Sequence, residues 1–115
     1  MSNRARVTAL FCLLVMACLA IGCPKGVTIS KIVADPSRYE KDEVAVKGTV
    51  VSSWGALREG AYEIDDGTGK MWVICQGRAV PGKGSRVVAI GRVLPTFTIA
   101  GRSFATVLRE SDRKY

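Results

Sequence analysis

The run Asp65-Asp66-Gly67-Thr68-Gly69 sets two carboxylates and a hydroxyl within four residues. Oxygen donors that close suit a loose calcium site, and paired carboxylates suit general acid–base work. Neighbours on a strand point to opposite faces, however, so Asp65 and Asp66 do not face one substrate together. Asp-Gly-Thr-Gly is better explained as a hairpin turn. Cys75 is the other potential nucleophile, but the chain has no histidine to activate it or to share a metal. Its place within an apolar run favours burial as a small hydrophobe. Pro81-Gly82-Lys83-Gly84-Ser85 joins two strand-like runs rather than a strand and a helix, so it does not read as a phosphate loop. The chain is therefore read as a non-enzyme, with no cofactor and no metal implied.

A different chemistry is suggested at Cys23. Arg4 and Arg6 form a short positive leader, and residues 7–22 carry no charge and are mostly apolar. This is a signal-peptide layout, shorter than the roughly 20 apolar residues of a membrane span. It ends Leu19-Ala20-Ile21-Gly22-Cys23, which resembles the lipobox of bacterial lipoprotein precursors. There, cleavage falls before the cysteine and its thiol is acylated. The other readings are a general signal peptidase cutting nearby and an uncleaved helix. Cysteine arithmetic favours the lipobox: Cys12 and Cys18 leave with the leader, Cys23 takes the lipid, and Cys75 remains alone. The expected organisation is a signal peptide over 1–22, a tether over 23–28, one domain over 29–110 and a flexible tail over 111–115.

Charge is uneven along the chain. Once Arg4 and Arg6 are removed with the leader, 15 Lys and Arg stand against 10 Asp and Glu. Residues 28–66 are acidic on balance, whereas 67–109 hold seven basic residues and no acid. Such a run suggests an anion-facing side.

Five strand-like runs must position these groups. Residues 43–53 alternate Val44, Val46, Gly48 and Val50 against Ala45, Lys47 and Thr49. Residues 61–65 and 70–76 flank the Asp-Gly turn as a hairpin. Residues 85–94 form a long strand, 95–102 a loop or small hairpin turning at Gly101, and 103–110 the last strand. Gly48 and Gly91 in mid-strand mark bends. Before the first strand, Ser30 caps a short helix that Pro36 ends by restricting Asp35. Tyr39 is expected to pack back on the sheet.

The succession "ISKIVADPSRYEKDEVAVKGTVVSS", "AYEIDDGTGKMWV", "PGKGSRVVAIGRV" and "FATVLRE" resembles a bacterial OB-fold family of tRNA-anticodon-binding-like and lipoprotein domains. The resemblance implies an all-β, five-stranded OB-fold barrel with a short helix before strand 1. The helix often found between the family's third and fourth strands is missing, so the first helix would plug the barrel instead. An SH3-like barrel is the other fold with this strand count. The resemblance also implies a strand order of 1-2-3-5-4 and a ligand face on the outside of strands 2 and 3. With Met71, Val73 and Cys75 inward, Trp72, Ile74 and Gln76 face out. The flanking loops add Trp54, Arg58, Phe97 and Arg102, and Arg92 lies on the basic side. Tryptophans beside arginines suit stacking on a single strand or a sugar ring. The competing reading is that Trp54 and Trp72 supply buried area.

Together these readings describe an exported lipoprotein, anchored at the bacterial cell membrane or outer membrane on the periplasmic side. Its binding module takes an oligomeric or protein ligand, with an envelope protein or glycan as partner. A single-stranded nucleic-acid binder and a structural accessory subunit without its own ligand are the alternatives. Cys23→Ser is expected to abolish incorporation of labelled fatty acid into the expressed protein. Label that persists in the variant contradicts the lipobox.

Overall fold

A computed structural model describes residues 24–56, 59–99 and 101–115. Strand β1 (Lys25–Gly26) leads into helix α1 (Ile29–Ala34) and a 3-10 turn at Pro36–Tyr39. Five longer strands follow: β2 (Val44–Ala56), β3 (Glu59–Asp65), β4 (Lys70–Gln76), β5 (Arg86–Ile99) and β6 (Arg102–Lys114). The chain is a small all-β domain with one short α-helix. Its single sheet runs β1-β2-β3-β4-β6-β5, and β2 pairs a second time with β5, so the pairings from β2 to β6 return on themselves.

The return depends on β2 serving two neighbours in turn. Val44 to Thr49 pair with β5, and Thr49 to Ala56 pair with β3. Gly48 stands where the strand changes partner, and a Cβ there would lie 2.9 Å from the Asp65 carbonyl oxygen. Gly91 is tighter. It sits at the register shift between β5 and β6, and a Cβ would come within 2.0 Å of the Arg109 oxygen. At both positions a glycine is required because a neighbouring strand's backbone approaches too closely for a side chain.

Period-two alternation puts one face of each of the five longer strands into one core. Val44, Val46 and Val50 meet Tyr62, Ile64, Val73, Cys75, Val87 and Leu108 there, all buried. Ile29 and Ile32 of α1 are fully buried in the same cluster, and Tyr39 and Val80 pack against it. The apolar side of a six-residue helix thus becomes part of the core.

The cap of α1 comes from afar rather than from Ser30, which lies inside the helix. Asp66 accepts the Ile29 N–H at 2.9 Å, and the Thr68 hydroxyl accepts the Ser30 N–H at 3.1 Å. Asp66 also accepts from the Thr68 N–H and hydroxyl and from the Gly69 N–H. Partial burial pushes the Asp66 carboxyl up, but these hydrogen bonds outweigh it and hold the group below its usual value. The β3–β4 turn therefore also fastens α1.

Four expectations change. Within the segment expected to be a tether, Lys25 and Gly26 pair in parallel with Val44 and Ala45, which makes a sixth strand, and the Val27 N–H donates to the Ala45 carbonyl at 3.0 Å. Residues 95–99 continue β5 instead of forming a loop, so the hairpin expected at Gly101 is the end of a long β5–β6 pairing that reaches Ile99 and Arg102. The segment 111–115 does not fray: Asp112, Arg113 and Lys114 pair with Ile90, Ala89 and Val88. Ile74 faces outward as its parity requires, but it is buried there beneath residues of β5 and β6 instead of being exposed.

Val46→Asp or Val87→Asp places an unpaired charge in this core and is expected to unfold the domain, at a cost of about 3–5 kcal/mol. Asp66→Ala is expected to cost about 1 kcal/mol through the lost cap. Because the carboxyl sits below its ordinary value, its contribution is present above about pH 4 and fades as pH falls through the folded value. Denaturant unfolding at neutral and acid pH measures both effects. An Asp66→Ala deficit that does not shrink in acid contradicts the capping role.

Candidate binding face

The outer face of β3 and β4 carries the residues that face away from the core. Ala61 lies opposite Ile74, Glu63 opposite Trp72, and Glu59 opposite Gln76. The end of β2 adds Trp54, opposite Ala61. A long β5–β6 hairpin arm lies against this face. Ile99, Phe104 and Val107 bury Ile74 and Ala61 in a second cluster, and Trp54, Trp72, Leu94 and Phe97 pack on it half-buried.

The arm changes face along its length. Leu94 pairs with Val107, and three residues further out Phe97 pairs with Phe104, at opposite parity. All four belong to the second cluster. Between the two pairs stand Pro95 and Thr106, and Thr106 has φ 49°. A β-branched residue in the left-handed region is rare, and here it marks the kink that turns the arm's outer part onto the tryptophans.

Four of the expected ligand residues meet in this cluster. The Phe104 ring is 5.0 Å from Trp72 and 6.3 Å from Trp54, both tilted. The Arg102 guanidinium lies 5.4 Å from the Trp72 centroid and 5.0 Å from that of Phe104. Phe97 is across the arm from Phe104. Arg92 stands elsewhere on the same side, opposite Arg109, with both exposed. Arg109 donates to Gln76 at 3.3 Å. Two like charges directly opposed weaken the pairing unless an anion bridges them. Arg58 and Cys23 lie outside the described residues. Sequence reasoning missed Phe104 and the covering arm. The alternation Thr96, Phe97, Thr98, Ile99 was the available signal, and Pro95 obscured it.

The other missed group is a polar cluster at the core's edge, away from α1. The Glu110 side chain is fully buried, and it accepts from Arg113 through Nε at 3.1 Å and Nη2 at 3.0 Å. The Tyr62 hydroxyl donates to the same carboxylate. Arg113 also lies over the Tyr62 ring at 5.1 Å and donates to the Ala79 carbonyl at 3.0 Å, tying down the loop after β4. Burial and then Glu110 raise the Tyr62 pKa well above its ordinary value. Burial followed by the Glu110 charge also pushes the Cys75 thiol up, so Cys75 is a poor nucleophile. Burial works against the Arg113 charge, but the Glu110 hydrogen bonds overcome it and the pKa rises.

Glu110→Gln leaves Arg113 without its counter-charge and is expected to cost about 3–5 kcal/mol. Tyr62 stays protonated in the folded chain where the unfolded chain ionises, so its contribution is complete below about pH 10 and declines above it. The parent is expected to lose stability above pH 10 more steeply than Tyr62→Phe in denaturant titrations. Equal slopes contradict the buried hydroxyl.

No protein-family profile and no curated protein matches the chain. Among solved structures, it is similar to "a putative aspartyl-tRNA synthetase from Leishmania major Friedlin", with a TM-score of 0.59 at 13% identity. The match covers 80% of this chain and 20% of that one. At this identity the likeness is one of fold alone.

Proposed function

We propose that this chain is a lipoprotein anchored through Cys23 at the bacterial cell envelope. Its domain is an OB-fold barrel that binds an oligomeric or protein ligand beside the arm, on the outer face of β3 and β4. Leaving β1 aside, the order β2-β3-β4-β6-β5 with return to β2 supports the barrel. The structural neighbour, itself named as a tRNA synthetase, supports the same fold. The observation that carries the binding role is Arg102 lying over Trp72 and Phe104 while both tryptophans keep part of their surface in water. A half-exposed aromatic platform with a cation on it suits rings that stack.

A single-stranded nucleic acid is the second reading, favoured by the same Arg102–Trp72 contact and the facing Arg92 and Arg109. Export argues against it, because a lipidated domain meets little nucleic acid. The packing of Trp72 and Trp54 on Phe104 favours the third reading, an accessory subunit whose face is already filled by its own arm.

Trp72 emission in a Trp54→Phe background separates the three. Envelope glycan fragments or an envelope protein are expected to shift the emission with little salt dependence, and Arg102→Ala is expected to weaken the response about tenfold, which is 1.4 kcal/mol. A response confined to single-stranded oligonucleotide and falling steeply with salt moves the assignment to nucleic acid. No response to any of them favours the accessory role.

A further inference from the structure

A second surface lies on the other side of the domain. The outer faces of β2 and β5, with β1, α1 and the 3-10 turn beside them, line a cleft of about 1350 Å³. Lys25, Lys31, Arg38, Lys47 and Arg86 all line it, and all are exposed. Three carboxylates also line it, each already engaged. Asp66 accepts from α1 and its own turn, Asp65 accepts the Gly67 N–H at 2.8 Å, and Asp35 accepts the Ser37 hydroxyl at 3.0 Å. Among the described residues, every ion pair involves Arg78 or Arg113, neither of which lines the cleft. Five cations on five separate elements therefore converge on one cleft, outnumber its three carboxylates, and form no ion pair among the described residues. Ala45 and Val88 add apolar surface between them, with Tyr39 and Tyr115 at its sides.

The cleft also lies where the chain enters the domain. Lys25 is held by its pairing with Val44, so only Pro24 separates the paired chain from Cys23. Two residues reach at most about 7 Å. A lipid on Cys23 would bring the rim of the cleft close to the headgroup layer, within reach of its charges. We propose that this cleft is a docking surface for the phosphate headgroups of anionic phospholipid. It orients the domain on the bilayer and leaves the tryptophan face free for its ligand. Cationic side chains within a Debye length of an anionic leaflet are attracted to it, and an acyl chain joined to a basic patch anchors more firmly than either alone. The inference rests on the lipoprotein reading proposed above.

The test uses the lipidated protein in vesicles, with a polarity-sensitive fluorophore on Ala34→Cys. Ala34 is exposed in α1 and lines the cleft. A second labelled variant, Ala105→Cys on the arm, is the control. In vesicles containing phosphatidylglycerol, acrylamide quenching of the Ala34 label is expected to fall at least about twofold relative to phosphatidylcholine alone, with no change at Ala105. The protection should disappear near 1 M salt, where the Debye length is about 3 Å, and in the double variant Lys47→Glu, Arg86→Glu. Equal quenching in both lipids overturns the docking surface. So does protection given only by an added oligonucleotide, which would make the cleft a nucleic-acid site. Fatty-acid labelling is scored on the same preparation. Absence of that label overturns the anchor, whereas an anchored protein with an open Ala34 label overturns the docking surface alone.

Discussion

Strand β2 hydrogen-bonds to β5 along its first half and to β3 along its second, and Thr49 pairs with both. Without the first set of pairs, the sheet would be open, with β2 and β5 as edges. With it, the five longer strands have no free edge along that seam, and their inner side chains converge on one core. The seam demands strands that come very close. Gly48 lets β2 approach the Asp65 carbonyl of β3 where it changes partner, and Gly91 allows β5 to meet β6 with a backbone oxygen where a side chain would otherwise stand.

The core is closed in two different ways. On one side α1 contributes Ile29 and Ile32, and the Asp66 carboxylate holds the helix in place. On the other side the cover is polar. Glu110, Arg113 and Tyr62 satisfy one another, and among the described residues no buried side-chain nitrogen or oxygen lacks a partner. A buried ion pair contributes little net stability against a well-packed apolar substitute. Its consequence here is positional. It fixes the end of β6 against β3 and, through Ala79, the loop that follows β4.

Most of the inner framework could be read from the sequence because it rests on local alternation. Val44, Val46 and Val50 face the core as their period requires, and β4 occupies the expected residues 70–76. The features that escaped depend on distant partners. Lys25 and Gly26 look like linker, and only the exposed flank of β2 makes them a strand. The sequence Glu110-Ser111-Asp112-Arg113 looks like a solvated tail, because nothing local shows that Glu110 meets Tyr62, 48 residues away. Ile74 reads as outward by parity, and parity cannot show that a kink at Pro95 and Thr106 folds the arm over it. Trp54, Trp72, Phe97 and Arg102 were legible as a group, whereas Phe104, the ring that gathers them, was not.

The two proposed surfaces divide the domain by charge and shape. The aromatic face lies over β3 and β4 under the arm, and the cationic cleft lies over β2 and β5 next to the point of entry. Both depend on the seam between β2 and β5, since an open sheet would neither line the cleft nor hold the arm in place. Amide hydrogen exchange read residue by residue tests the seam most directly. The account predicts that the β2 amides between Ala45 and Thr49 that donate to β5 exchange as slowly as those in Ser52–Trp54 that donate to β3. Fast exchange along the β5-facing half, with β3-facing amides still protected, would contradict the closed ring and both surfaces built on it.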